Sequence, residues 1–536
     1  MTSWTMVADL RRCVGCQTCT AACKHANATA PAVQWRRVLD FETGSYPDVA
    51  RTFVPVGCMH CSDPPCMHVC PSTATGQRED GIVTINYDIC IGCSYCAVAC
   101  PYQARYKVGR PRFAYGKGSR MKNEAQREDP ARIGVAQKCT FCSDRIDFGL
   151  ENGLTVGVDP KATPACVNSC IADALHFGDA EDPESNVSKL LAENASFKMH
   201  DELETDPNFH YIWETNEGAE TAEKRRGNRH DNTVETLPPS TGIGGVGAAA
   251  PWLQQHWDWR AAGNFMAGGT GSGMIVVTAL LGLFGASTSH PALLALSFVA
   301  LGLFLVFLET GRPLRAPLHV FFHPQTSWMT REAMASVALF FSGIITALTG
   351  WATLALLAGL LGAGFLYSQA RILTEAKGIP AWRNATIVPL IVTTGLVEGA
   401  GVYMLAAPLL GIDATFSMAP MAGFVLIMLA RAWAWWRYHA ATALSVPDVA
   451  YRVIDRFHGI FLFAGTMLPT ALVIAFAIWP NLSVLAQAAA IVAVVAGWWV
   501  KFMIVTQASY NQGFALLRLP QKGGGAGPGA KPGWKN

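Results

Sequence analysis

From Phe265 onward the chain is a succession of apolar runs, each long enough to cross a bilayer as a helix of about 20 residues. Eight crossings are predicted, over 265–286, 292–309, 333–349, 352–371, 386–407, 417–437, 457–479 and 482–505. Only Gly350 and Trp351 break the apolar pattern between 333 and 371. One helix there would run to nearly twice the hydrocarbon thickness, so two are predicted. Upstream, residues 216–250 are first polar and charged, then rich in Pro, Gly and Ala, and read as a flexible tether. The pattern divides the chain into a domain over 1–215, a linker over 216–256, a helical anchor over 257–520 and a disordered tail over 521–536.

Charge adds an orientation. The formal net charge is only +2, which gives no sign of a nucleic-acid binder. An even number of crossings puts both ends of the anchor on one side. The loops of that side hold Arg312, Arg315, Arg331, Arg371, Lys377, Arg383, Arg452 and Arg456, with Arg518 and Lys522 after the last helix. The opposite loops, "STSHP", the turn at Gly350, "PLLGIDATFS" and "PN", hold no lysine or arginine. The positive-inside rule places the arginine-rich side, and the N-terminal domain with it, in the cytoplasm of a bacterial inner membrane. The N-terminus "MTSWTMVADLRRC" shows neither an apolar run before a cleavage site nor a paired-arginine export signal, so no cleaved signal is expected.

All 16 cysteines lie between Cys13 and Cys170. They form four groups: Cys13, Cys16, Cys19, Cys23; Cys58, Cys61, Cys66, Cys70; Cys90, Cys93, Cys96, Cys100; and Cys139, Cys142, Cys166, Cys170. Short C-x-x-C turns aim neighbouring thiolates at one metal centre. The third group, "CIGCSYCAVACP", reproduces the bacterial ferredoxin run, in which the fourth cysteine serves the other cluster of a pair. Sixteen thiolates suit four [4Fe-4S] clusters as iron ligands. A disulfide framework would need an oxidising compartment and strained bridges. A zinc scaffold would use C-x-x-C knuckles well apart in sequence.

These groups, with "ALHFGDAEDPESNVSKLLAE" and "TDPNFHYIWE", resemble the four-cluster electron-transfer subunit of the dimethyl sulfoxide reductase family of molybdoenzymes, over about the first 215 residues. The resemblance implies an α+β ferredoxin-like domain of two duplicated 2x[4Fe-4S] modules. It also implies exchanged ligands: Cys13, Cys16, Cys19 with Cys170; Cys139, Cys142, Cys166 with Cys23; Cys58, Cys61, Cys66 with Cys100; and Cys90, Cys93, Cys96 with Cys70. The stretches 105–135 and 143–165 are longer than the family leads one to expect and read as surface insertions or partner contacts. In the anchor, "WDWRAAGNFMAGGTGSG", "ETGRPLRA", "SWMTREA", "IPAWRN" and "NQGFALLRLP" resemble the all-α eight-helix membrane subunit of the dimethyl sulfoxide and polysulfide reductases, over 257–520. The chain thus reads as two usually separate subunits fused. "GGTGSGM" lacks the strand and lysine of a nucleotide loop and reads as close helix packing.

The family resemblance implies a quinone site in the loop between the second and third helices, where related anchors often carry a histidine at the position of Glu309. A quinone needs an oxygen partner and a group that handles protons near neutral pH. Glu309 and Glu332 are the candidate proton handlers, His319 or His323 the candidate oxygen partner, with Arg312, Trp328 and Arg331 beside them in the same loop. Interface anchoring is the competing role for such residues. Glu398, well inside the fifth crossing, needs protonation, pairing or a water path. Arg431 or Lys501 is its expected partner, although both are near enough to helix ends to snorkel. The histidines of the anchor fall at helix ends or in loops, so no haem is predicted, with His439 and His458 the one pair that would challenge this.

No substrate-converting motif is visible. The resemblance implies a separate catalytic partner carrying a molybdenum or tungsten bis-pterin cofactor, with this chain conducting electrons between it and quinone in the lipid. The cytoplasmic orientation, "NQGFALLRLP" and "FGDAEDPESNVS" resemble the sulfite:quinone oxidoreductase branch. Quinol-driven reduction of dimethyl sulfoxide, thiosulfate or polysulfide is the alternative, and a proton-translocating anchor module, marked by Glu398, is a second.

Overall fold

The computed structural model describes residues 2–43, 47, 49–113, 129–215, 249–411, 418–514, 516–520, 526–530 and 533–534. Much of the insertion read at 105–135, most of the linker and parts of the tail lie outside the described residues. The chain forms two compact units: residues 1–68, 73–252 and 511–536, and residues 69–72 and 253–510.

The first unit is built on a four-stranded sheet of β1 (Trp4–Asp9), β2 (Leu175–Asp179), β3 (Asn194–Lys198) and β4 (Phe209–Thr215), in the order β2-β1-β4-β3. β1 and β4 run parallel, and the two outer pairings are antiparallel. Every residue of β1 is buried because both faces are covered. Trp4, Met6 and Ala8 point into the core that holds many of the cysteines. Val7 points the other way, against Val187 and Ile212, with Leu190 and Leu191 of the helix Asn186–Glu193 packed alongside. The period of two in a strand is what lets one segment serve both layers. Ser185 starts that helix by accepting the Ser188 amide at 3.2 Å.

Two chain segments far apart in sequence close this unit. The Asn511 amide donates to Trp252 O at 3.0 Å, and the Phe514 amide donates to Ala249 O at 2.8 Å. Phe514 is fully buried near His200 and the Arg37 guanidinium. Residues 511–514 therefore pack with the iron–sulfur unit, where the sequence pattern carries the anchor on to residue 520. The tail read as disordered includes a strand, Ala526–Ala530, paired antiparallel with Leu516–Pro520.

The second unit holds eight helices long and apolar enough to cross a membrane: α1 (Trp259–Gly282), α2 (Ser289–Glu309), α3 (Trp328–Thr349), α4 (Ala352–Thr374), α5 (Ile387–Ala406), α6 (Met418–Thr442), α7 (Asp448–Ile478) and α8 (Ser483–Thr506). The chain is a multi-pass membrane protein. α1 packs on α2, α4 and α5, and α5 on α4, α6 and α8. Small residues allow the α1–α5 crossing: a Cβ on Gly273 would lie 1.9 Å from Gly395 O. Close packing is thus the role of "GGTGSGM". α1 also contains a π-helical turn, Asn264–Gly268.

Three helices start earlier than their apolar runs. α1 begins at Trp259, where Asp258 Oδ1 accepts the Arg260 amide at 2.8 Å. α7 begins at Asp448 and α3 at Trp328, so Trp328, Arg331 and Glu332 sit in the first turns of a helix rather than in the loop expected from the sequence. Their polar first turns hide these starts from a hydropathy reading.

Candidate functional site

In the first unit each cysteine turn relies on left-handed backbone. Gly15 and Gln17 have φ of +70° and +63° around Cys16, and Gly92 and Ser94 repeat this with +70° and +62° around Cys93. Phe141 and Cys142 adopt the same region in the fourth group. A non-glycine residue held there costs roughly 1–3 kcal/mol, and the turn it makes folds neighbouring sulfurs back toward one point. Most of the sixteen thiols are buried; only Cys16 is exposed.

Their electrostatic neighbours sort them. Cys13 feels Cys170 and Cys16, and Cys19 feels Cys166, Cys13 and Cys170. Cys23 is surrounded by Cys139, Cys166 and Cys142, and Cys61 by Cys58, Cys66 and Cys100. Burial, reinforced by neighbouring thiols, pushes Cys19, Cys142 and Cys100 up to about 12 and Cys139 up to about 11. Such thiols ionise at neutral pH only when a metal holds them. Among the described residues no three His, Cys, Asp or Glu side chains close on a single metal ion. A multi-iron cluster spaces its ligands more widely than one ion does, so the donor chemistry fits a cluster. Amides support the sulfurs: Ala174 N donates to Cys170 Sγ at 3.2 Å and Phe141 N to Cys139 Sγ at 3.4 Å.

Three buried cations stand among these thiols. The Arg105 guanidinium donates to Cys66 Sγ at 2.8 Å and to Thr75 Oγ1 at 3.0 Å. Lys138 Nζ donates to Cys139 O at 2.7 Å and also to Val83 O. Arg36 donates to Met6 Sδ at 2.9 Å, while its Nε and second terminal nitrogen have no hydrogen-bond partner. Sequence reasoning misses all three, although Lys138 directly precedes a cysteine.

The segment Val69–Ser72, which carries Cys70, belongs to the second unit. His323 Nδ1 lies 3.0 Å from Cys70 O, Ser327 Oγ donates to Val69 O at 2.9 Å and Thr330 Oγ1 to Pro71 O at 3.4 Å. His319 is engaged elsewhere, its Nδ1 lying 3.1 Å from Arg315 O of its own turn. Trp328 carries Arg331 over its ring at 4.2 Å and Arg371 at 5.1 Å. Glu332 is buried, accepts from Asn264 Nδ2 at 3.3 Å and has Gln369 within hydrogen-bonding range. Glu309 is buried at the end of α2, where it accepts the Asp258 amide at 3.3 Å. Arg312 is half-buried in the connection that follows. The structure thus groups His323 with the Cys70 segment, and Glu332 with α1 and α4, rather than gathering all seven residues at one point.

Glu398 Oε2 accepts from Lys501 Nζ at 2.6 Å and from Thr270 Oγ1 at 3.1 Å. Arg431 instead donates to Ala493 O at 2.9 Å and to Gly465 O. Both cations are fully buried, so neither snorkels. A Cβ on Gly269 would meet Lys501 Nζ at 2.3 Å, so this glycine makes room for the ammonium. His439 and His458 lie in ring contact, centroids 3.9 Å apart, with His439 Nε2 2.8 Å from Asp455.

Residues 49–112 match the 4Fe-4S dicluster domain family. The chain is 39% identical over 225 residues to an electron-transfer component of the selenate reductase of Mesobacillus selenatarsenatis, covering 39% of this chain and 71% of the relative. It is 41% identical over 226 residues to the iron–sulfur component of a putative dimethyl sulfoxide reductase of Halobacterium salinarum, covering 40% and 79%. It is 36% identical over 229 residues to a component of the sulfite dehydrogenase of Allochromatium vinosum, covering 40% and 83%. With a ferredoxin-like cysteine domain and eight apolar helices in one polypeptide, the chain belongs to the family of iron–sulfur subunits of molybdoenzyme oxidoreductases.

Proposed function

We propose that this chain is both the electron-transfer and the membrane-anchor subunit of a molybdopterin oxidoreductase, joining a catalytic partner to the quinone pool through four [4Fe-4S] clusters. The clusters supply one-electron steps between a two-electron substrate and quinone. Cys13, Cys16, Cys19 and Cys170 hold the first; Cys139, Cys142, Cys166 and Cys23 the second; Cys58, Cys61, Cys66 and Cys100 the third; and Cys90, Cys93, Cys96 and Cys70 the fourth. The observation that carries the reading is the bond of His323 to Cys70 O inside the helical unit, which ties a ligand of the fourth quartet to an anchor side chain. His323 is the candidate partner of a quinone oxygen. Glu332, buried one turn into α3, is the candidate proton donor, with Glu309 a further one. Arg331 and Arg371 hold Trp328 between them as a wall of the same region.

Sulfite is the favoured substrate. Its oxidation to sulfate takes up one water and releases two electrons and two protons, which quinone takes up in becoming quinol. The arginine-rich loops support a cytoplasm-facing domain in a bacterial inner membrane, and a sulfite dehydrogenase component is among the relatives. The test is to purify the chain with its partner, add sulfite without oxygen, and record low-temperature EPR. New signals from reduced clusters support sulfite oxidation. Reduction by a quinol and reoxidation by an S-oxide instead would reverse the direction.

The buried Lys501–Glu398 pair favours a second reading, in which the anchor also moves protons. Glu398→Gln would then spare quinone turnover and abolish proton movement in vesicles; retention of both would dismiss it.

A further inference from the structure

Arg36, Lys138 and Arg105 are each no more than 2% exposed, and among the described residues none of them pairs with a carboxylate. Desolvating a single such cation costs several kcal/mol unless an opposite charge answers it. Arg36 shows the problem most plainly. Two of its nitrogens are buried without partners, its guanidinium lies 4.9 Å from the Phe209 ring centroid, and its hydrogen-bond acceptor is a thioether. The ionisable groups that bear most strongly on it are the cysteines Cys166, Cys139, Cys19 and Cys23. Three of these belong to the second quartet and Cys19 to the first. Arg105 bears on Cys66, Cys58 and Cys100 of the third quartet and on Cys96 of the fourth. Lys138 bears on Cys58 and Cys66 of the third quartet and on Cys139 of the second.

The order is regular: first quartet, Arg36, second quartet, Lys138, third quartet, Arg105, fourth quartet. We propose that these three residues are fixed counter-charges interleaved with the four clusters, one at each junction, and that each raises the reduction potential of the two clusters it separates. This rests on the four-cluster reading above. Four thiolates around a [4Fe-4S] core leave a net negative charge that grows by one on reduction. A desolvated cation at a junction stabilises that added electron on either side, and low-dielectric surroundings enlarge the effect. An electron crossing a junction leaves one side of the cation and arrives on the other. At the two arginine junctions no proton moves, because a guanidinium stays charged throughout. Charge shared across each junction keeps adjacent potentials together, which is what a hopping chain needs.

The test uses the full chain purified in detergent with its clusters in place. Iron analysis of the unaltered protein comes first. Markedly fewer than about sixteen irons per chain would defeat the four-cluster reading itself, whatever the cations do. EPR-monitored redox titrations then compare Arg36→Met, Lys138→Met and Arg105→Gln with the unaltered chain, the signals being assigned by one cysteine-to-serine change in each quartet. The expected result is pairwise. Arg36→Met lowers the first and second potentials, Lys138→Met the second and third, and Arg105→Gln the third and fourth, leaving the other two unmoved. Arg36→Lys and Arg105→Lys restore the original values. A variant that loses iron leaves the other two to test the pattern. Unshifted potentials, a uniform shift of all four, or lysine variants that behave like the neutral ones would overturn the proposal.

Discussion

Lys501 Nζ lies 2.6 Å from Glu398 Oε2, and neither side chain has any exposed surface. α5 and α8 are thereby joined by a charge pair whose remaining contacts include Thr270 on α1, itself held by Trp498 Nε1 at 2.9 Å. Breaking one half of a buried pair leaves the other charge stranded, at a cost of about 3–5 kcal/mol. Lys501→Met should therefore lower the thermal midpoint of the detergent-purified chain strongly. The double variant Lys501→Met with Glu398→Gln should recover part of the loss. A double variant less stable than Lys501→Met would show that the pair is not the unit of stability.

Glu332 is buried one turn inside α3, held by Asn264. If it donates the proton to bound quinone, Glu332→Gln should slow quinone reduction roughly 10²-fold. Chemical reduction of the clusters should proceed at the original rate. Stopped-flow absorbance separates the two steps, and unchanged quinone turnover would remove Glu332 from the mechanism.

His210, on β4, is mostly buried, and burial together with the nearby Lys198 charge lowers it to about 4. The unfolded chain binds this proton more readily than the folded one, with an ordinary value near 6.5. The contribution to stability is therefore complete above about pH 6.5 and is lost as the pH falls toward 4, by roughly 1–3 kcal/mol in all. Thermal melts between pH 4 and 7 should show a downward slope on acidification that His210→Gln flattens.

The α1–α5 crossing tolerates no side chain at Gly273, where a Cβ would sit 1.9 Å from Gly395 O. Gly273→Ala should destabilise the helical unit by roughly 1–3 kcal/mol through overpacking. Gly423→Ala, where a Cβ would meet nothing within 4 Å, is the matched control and should leave the melting temperature unchanged.

The eight helices were legible because apolar length is a property of sequence alone. Three helix starts were not, since "WMTREA" and "DVAYRVIDR" turn a polar face to their surroundings while already helical. Glu398 announced itself as a carboxylate inside an apolar run. Its partner did not, because Lys501 is 103 residues away and no spacing fixes the register of two packed helices. The cysteine spacings marked the thiols as a set, whereas their grouping came from family resemblance. Arg36 and Arg105 were passed over for a simpler reason: in sequence, a buried arginine looks like any surface one.

The closure of the first unit by Asn511–Phe514 has a bearing on biogenesis. A ribosome makes these residues after all eight membrane segments, so the cysteine-bearing unit acquires its last packing partners only when membrane integration is over. Phe514 beside His200 then works as a completion seal, joining metal loading of the first half of the polypeptide to successful insertion of the second. Two separate polypeptides would need an assembly factor to enforce that order; one continuous polypeptide carries it in its own connectivity.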